Sequence, residues 1–141
     1  MPDAPVIRSI ADADVGAVLA LWSAVVPDPR PWNQPAAYLS RKRALGDGLL
    51  LVAERAGAVV GAVALGWDGV RGWIYHLAVD PAARRLGVGS ALMRAAEAQL
   101  QARGCPKINL QIMPHNQDVV RFYARLGYVE EARISMGKAL A

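Results

Sequence analysis

Arg84, Arg85, Gly87 and Gly89 fall within one short stretch, DPAARRLGVGSALM, running from Asp80 to Met93. A run that reads as a strand precedes it, and a run that reads as a helix follows. The first amides of a helix have no partners inside it, and the helix dipole places partial positive charge there. Glycine removes the side chains that would hold a ligand away. Such a turn suits a phosphate or pyrophosphate, with the two arginines adding charge at its rim. The dinucleotide fingerprint does not fit, because Leu92 stands where its third glycine belongs and GCPKINL supplies no acidic residue downstream. A P-loop does not fit either, since Ser90 and Ala91 follow Gly89 in place of Lys and Ser or Thr. Taken alone, the stretch also fits a helix start whose glycines permit close packing.

Other residues could move protons. His76 sits in a run that reads as the fourth strand, His115 lies beside Asn116, and Glu54 ends the second strand. A histidine among apolar residues is also an ordinary hydrogen-bonded core or rim residue. Tyr123 follows Phe122 in NQDVVRFYARLGY, where an amphipathic tyrosine on a packed helix is the plain structural reading. Asp68 could attract an ammonium group, although WDGVRG reads first as an ordinary turn. The lone Cys105, beside a Gly and a Pro, reads as a small packed residue. No spacing of His, Cys, Asp or Glu suggests a metal site.

The elements that must hold these groups follow from periodicity. Val6–Ile10 reads as a first strand, and Asp12 as the cap of a helix burying Val15, Val18, Leu19 and Trp22. Four prolines make Pro27–Pro35 a loop that carries Trp32 and Asn33. A second helix spans about 36–45, with Arg41, Lys42 and Arg43 expected on a solvated face. Strands are expected over 49–54, 59–67 and 73–79. A helix over 87–103 carries the stripe Val88, Leu92, Ala95, Ala96 and Leu100. A strand over 107–113, a helix from Asn116 or Asp118 to Leu126 and a last strand over 133–140 complete the order. An antiparallel meander followed by a β-α-β unit is an α/β fold of the α+β kind, a mixed sheet with helices on its faces.

Arg84-x-x-Gly87-x-Gly89, with Asn116, Phe122-Tyr123 and Gly127-Tyr128 downstream, resembles the GNAT superfamily of acetyl-CoA-dependent N-acetyltransferases. The RPWNQP loop and the SMGKAL ending are most similar to its YpeA-like subgroup. The resemblance implies a single GNAT domain over 1–141, with acetyl-CoA as co-substrate in a cleft where two parallel strands splay. It implies that Leu77, Ala78 and Val79 pair their backbone with the pantetheine arm. Arg84, Arg85, Leu86, Gly87, Val88, Gly89 and Ser90 would hold the pyrophosphate, and Asn116 would bond the pantetheine or fix its loop. Tyr123 falls at the general-acid position. A thiol near ~8.5 and a phenol near ~10 are matched closely enough for a phenol to protonate the departing sulfur. A backbone amide near Val79 would stabilise charge on the thioester oxygen. Some protein N-terminal acetyltransferases of the superfamily carry Glu five residues before the Asn, whereas Gln111 stands here and cannot act as a base. His76, His115, Glu54 or a water relay remain for that task, and His76 lies on the fourth strand near the expected thioester.

The whole chain bounds the rest. Its 141 residues are 54% hydrophobic, enough for one core. No apolar run reaches the ~20 residues of a membrane helix, and no secretory signal is evident at the N-terminus. One cysteine allows no internal disulfide, which fits a cytoplasmic location. A net charge of +4 favours an anionic partner, but without a basic tail a dedicated nucleic-acid binder is the weaker reading. The expected function is acetyl transfer to a primary amine, on a small molecule or a protein N-terminus or lysine, by direct attack in a ternary complex. The alternative is a non-catalytic acyl-CoA-binding regulatory module. The ends of a mixed sheet leave room for a homodimer.

Overall fold

The computed structural model describes residues 4–140. It divides into two compact units, Met1–Leu110 and Gln111–Ala141.

The first unit is a five-stranded mixed sheet in the order β1-β2-β3-β4-β5. These strands are β1 Val6–Ser9, β2 Leu50–Arg55, β3 Ala58–Trp67, β4 Gly72–Val79 and β5 Ile108–Asn109. The first four run antiparallel, and β5 joins β4 in parallel. The expected mixed sheet is therefore present. Ala56 and Gly57, both at positive φ, close the β2–β3 hairpin, as a two-residue turn matching strand twist requires.

Helices α1 (Val15–Val25), α2 (Pro35–Ala44) and α3 (Val88–Ala102) belong to this unit. Successive strand residues face opposite sides. Ala62 and Ala64 pack with Val18, Trp22 and Leu39 of α1 and α2. Gly61 faces the other way, toward Val88 and Leu92 of α3. The α3 stripe Val88, Leu92, Ala96 and Leu100 is buried as the spacing predicts, joined by Met93, while Ala95 is only half-buried.

Several expectations need correction. Asp12 does not cap α1: a short 3-10 turn covers Asp12–Asp14, and Asp14 takes the cap position. Asp14 is held by Arg8 at 2.6 Å and by the Ala11 N–H at 2.8 Å, and the Arg8 hydrogen bond, aided by Ala11, lowers its pKa to about 2. Lys42 is not on a solvated face. It is buried, donating to Asp47 Oδ2 at 2.9 Å and to the Leu65 carbonyl.

The expected strand over 107–113 shrinks to two residues, because its pairing with β4 ends at Trp73↔Asn109. Residues 133–140 form no ladder among the described residues, and Ile134 and Met136 stand exposed. An alternating sequence becomes a strand only where a partner accepts its hydrogen bonds. The second unit contains α4 (Gln117–Arg125), which ends at Gly127 with φ +95°.

The seat of α3 depends on Gly61. A Cβ there would lie 2.9 Å from Leu92 Cδ1, 3.0 Å from Val88 Cγ1 and 3.2 Å from the Ala78 carbonyl oxygen. Gly61→Val is therefore expected to lose about 1–3 kcal/mol of stability by overpacking, read from urea unfolding. A stability equal to wild type would show that α3 is not seated on this glycine.

Candidate active site

β5 pairs with β4 only at Gly72↔Ile108 and Trp73↔Asn109, with Gly72 N–H donating to the Lys107 carbonyl at 2.8 Å. From Ile74 to Val79, β4 has a strand on its β3 side and none on the other among the described residues. Leu77, Ala78 and Val79 lie on this open part, so their outward backbone groups are available to an extended ligand.

The chain leaves β4 through Asp80, whose carboxylate accepts from Ala82 N–H at 2.9 Å and so fixes the turn over Pro81–Ala83. Arg85 and Gly87 both have positive φ, +65° and +77°. Left-handed residues turn successive amides toward one side, an arrangement that can hold an anion. The first helical bond of α3 runs from Ala91 N–H to the Gly87 carbonyl at 3.0 Å, leaving the amides of Val88, Gly89 and Ser90 without helical acceptors. A Cβ on Gly87 would meet nothing within 4 Å. The space over this turn is therefore open, which suits a phosphate cradle. Arg84, Arg85 and Leu86 are exposed on it.

His76 has a different setting. Ala62↔Ala78 and Ala64↔Tyr75 leave two β4 residues, His76 and Leu77, opposite Val63 alone, so β4 carries a bulge there. His76 takes φ +54°, at a strain of roughly 1–3 kcal/mol for a non-glycine residue. Its ring meets Trp22 edge-on at 5.0 Å and Tyr38 at 4.8 Å. Its Nε2 is buried without a hydrogen-bond partner, as is Nε1 of the fully buried Trp22. Burial lowers the His76 pKa from 6.5, and Asp28 opposes this. The imidazole is thus held neutral. Glu54 is engaged by Arg8 at 3.3 Å, and His115 is exposed in the second unit.

The proline-rich loop is organised by Asp28. Its carboxylate accepts from Arg30 Nη2 at 2.5 Å, from Arg30 Nε at 2.8 Å and from Asn33 Nδ2 at 2.9 Å. Arg41 donates to the Trp32 carbonyl at 2.5 Å, and Trp32 is half-exposed. Asp68 is a turn residue, accepting from the amides of Val70 and Arg71 at 2.8 Å each. Sequence reasoning missed Tyr38 as a neighbour of His76, since nothing in the order of residues links α2 to the bulge.

In the second unit, Asn116 occupies the position before α4 and donates its N–H to the Met113 carbonyl at 2.9 Å. Tyr123 is buried, edge-on to Phe122 at 5.0 Å and Tyr128 at 5.6 Å, and burial raises its phenol above the ordinary range. Gln111 is not free: its amide donates to Ser135 Oγ at 2.8 Å.

The acetyltransferase (GNAT) family matches residues 18–128. The chain belongs to the acetyltransferase (GNAT) family. An acetyltransferase of Yersinia enterocolitica is 40% identical over 134 residues, 95% of this chain and 94% of that one. Two solved structures share the fold. AAC(6')-Iy bound to the bisubstrate analogue CoA-S-monomethyl-acetylneamine has a TM-score of 0.78 at 17% identity, covering 97% of this chain and 99% of that one. The ribosomal-protein-S18-alanine N-acetyltransferase of Escherichia coli has a TM-score of 0.77 at 21% identity, covering 91% and 79%. As a GNAT protein, the chain is an acetyl-CoA-dependent N-acetyltransferase. No helix among its described residues is long and apolar enough to cross a membrane.

The buried imidazole fixes a pH response. Folding favours the neutral ring, so below 6.5 the unfolded chain binds more protons than the folded one. The stability that this contributes is full above 6.5 and is lost as pH falls below 6.5 and through the lowered folded value. The melting temperature should fall between pH 7 and 5, and His76→Gln should flatten that fall. An unchanged slope in the variant would show that His76 does not carry it.

Proposed function

We propose that residues 1–141 act as one GNAT domain that acetylates a primary amine by direct attack in a ternary complex. The family match runs across the boundary between Leu110 and Gln111, which supports one functional domain. The observation that carries the cofactor reading is the open edge of β4 leading straight into a turn of unpartnered amides at the start of α3.

Acetyl-CoA supplies a thioester, whose carbonyl an amine can attack and whose sulfur leaves as a thiolate. In this reading the backbone of Leu77, Ala78 and Val79 binds its pantetheine arm, and an amide near Val79 stabilises the carbonyl oxygen. Arg84 through Ser90 hold its pyrophosphate by amides, dipole and charge. Asn116 bonds the pantetheine or holds its loop. Tyr123 is the general acid. Burial raises its pKa, so the phenol keeps its proton throughout the neutral range and is a weaker donor than the ordinary phenol expected from the sequence, until bound ligand changes its surroundings.

His76, held neutral by the same physics, is the proposed acceptor of the amine's proton, with water carrying it onward. Because Nε2 is buried, the proton reaches it through a relay or after movement of the surrounding rings. No group is placed as a nucleophile: Cys105 donates its thiol to the Lys107 carbonyl at 3.2 Å. Direct attack therefore needs no covalent enzyme intermediate. A cytoplasmic setting and a YpeA-like subgroup accord with the single cysteine and with the loop and tail sequences. A homodimer is compatible with this reading.

The fold leaves the acceptor open. Structures that share it carry names as different as an aminoglycoside acetyltransferase's bisubstrate complex and a ribosomal-protein alanine acetyltransferase.

Two substitutions separate binding from chemistry. Gly87→Val places a side chain into the open space above the amide turn and strains a φ of +77°. Calorimetry should show acetyl-CoA affinity reduced at least ~10²-fold while circular dichroism stays native, and wild-type affinity would place the pyrophosphate elsewhere. Tyr123→Phe should leave acetyl-CoA affinity intact and lower kcat by roughly 10²-fold, the usual scale for a general acid. An unaltered kcat would remove Tyr123 from that role.

A further inference from the structure

Tyr75 and His76 are neighbours on β4, and neighbours on a regular strand face opposite sides. Here both rings approach Tyr38, at 6.4 Å and 4.8 Å between centroids. The bulge is the cause: the left-handed turn at His76 interrupts the alternation and brings consecutive side chains to one wall. The wall is costly to hold, since its polar atoms Trp22 Nε1 and His76 Nε2 are buried and unpartnered. Buried polar atoms left unmatched and strained backbone gather where a ligand requires them.

Tyr75 forms the outer end of the wall and is 46% exposed. Its ring lies over Gly66, with Cε2 4.0 Å from where a Cβ would stand. Two residues beyond Gly66 on the same strand end is Asp68. That carboxylate accepts from Val70 N–H, Arg71 N–H and Trp73 Nε1, the last at 3.3 Å, and all three donors are neutral. These bonds, with a smaller contribution from the charge of Arg71, lower its pKa and keep it ionised, and after burial its charge is what raises the Tyr75 phenol. Asp28, at the other end of the wall, acts on His76 but is neutralised by Arg30. An aromatic face ending in an exposed anion suits a bare ammonium.

We propose that Tyr38 and Tyr75 of this wall, with Asp68, bind a second ammonium group of the acceptor, so that the preferred acceptor is a small diamine or polyamine. The inference rests on the acetyl-transfer reading above and names the substrate class of that site. Across the bulge, Tyr75 and Ala78 stand opposite Ala64 and Ala62, two residues or roughly 7 Å apart along the strand, so the two nitrogens are joined by a short aliphatic chain. A protein lysine offers one ammonium at its tip and does not meet this requirement.

The test uses the full chain. Acetyl-CoA affinity is first measured by calorimetry. Thiol release is then followed at saturating acetyl-CoA with putrescine, with butylamine and with a capped peptide holding one lysine. Putrescine should exceed butylamine and the peptide in kcat/KM by at least ~10-fold, with the difference in KM. Asp68→Asn keeps the oxygen that holds the turn and removes the charge. In that variant, and in Tyr75→Leu, the preference should shrink to within ~2-fold. Equal values for the two amines, a better peptide, or a preference that survives both variants would overturn the proposal. If acetyl-CoA binds but no amine releases thiol, the diamine site falls and the cofactor site stands. If acetyl-CoA does not bind, both fall together.

Discussion

A β-strand must place its backbone hydrogen bonds somewhere, and among the described residues β4 leaves most of one side without a strand partner. On one side it is laddered to β3 along its length, apart from the bulge. On the other, β5 accompanies it for two residues and stops. An edge left open in mid-sheet is a liability in most proteins, because any passing strand can pair with it. Here the open edge leads directly into the Asp80 turn and the unpartnered amides of α3. The same missing ladder that shortens β5 creates a continuous run of backbone groups fit for a long, hydrogen-bonding ligand.

Packing keeps that edge in place from both faces. Val18 and Trp22 press on the alanines of β3 and β4, and α3 sits against Gly61. Small residues at Ala62, Ala64, Ala78 and Gly61 bring the helices close to the sheet. The first turn of α3 is thereby fixed relative to the end of β4, which pairs with Gly61 through Val79. The amide turn is held at both ends by buried residues, Ala83 and Val88. The buried Lys42, tied to Asp47 and the Leu65 carbonyl, anchors the end of α2 in a similar way.

Most of this was legible in the sequence. Apolar periodicity located α1, α3 and four of the five strands closely; both helices and β2, β3 and β4 bury apolar residues, while β1 is only partly covered. The glycine pair and its arginines marked the amide turn, since few other residues permit the φ of Gly87. Features that depend on distant partners were not legible. Lys42 sits in an Arg-Lys-Arg run that looks solvated, and only the three-dimensional position of Leu65 and Asp47 shows that it is buried. The strands expected over 107–113 and 133–140 have the right alternation but lack neighbours to complete a ladder. The bulge at His76 carries no Gly or Pro to announce it, so the cage of Trp22 and Tyr38 could not be foreseen.

The division of labour in the site follows from what the backbone and the side chains can each specify. Backbone amides recognise the parts of a ligand that every member of a family shares, and any sequence with the right φ angles supplies them. Selection among amines has to come from side chains, and the fold alone does not dictate those. The strained residue lies on the strand whose backbone edge is open among the described residues. By giving up the regular alternation at His76, the chain presents Tyr75 beside it on the same wall without changing the rest of the sheet. A local conformational cost therefore gives this strand, beside its open backbone edge, a side-chain face of its own.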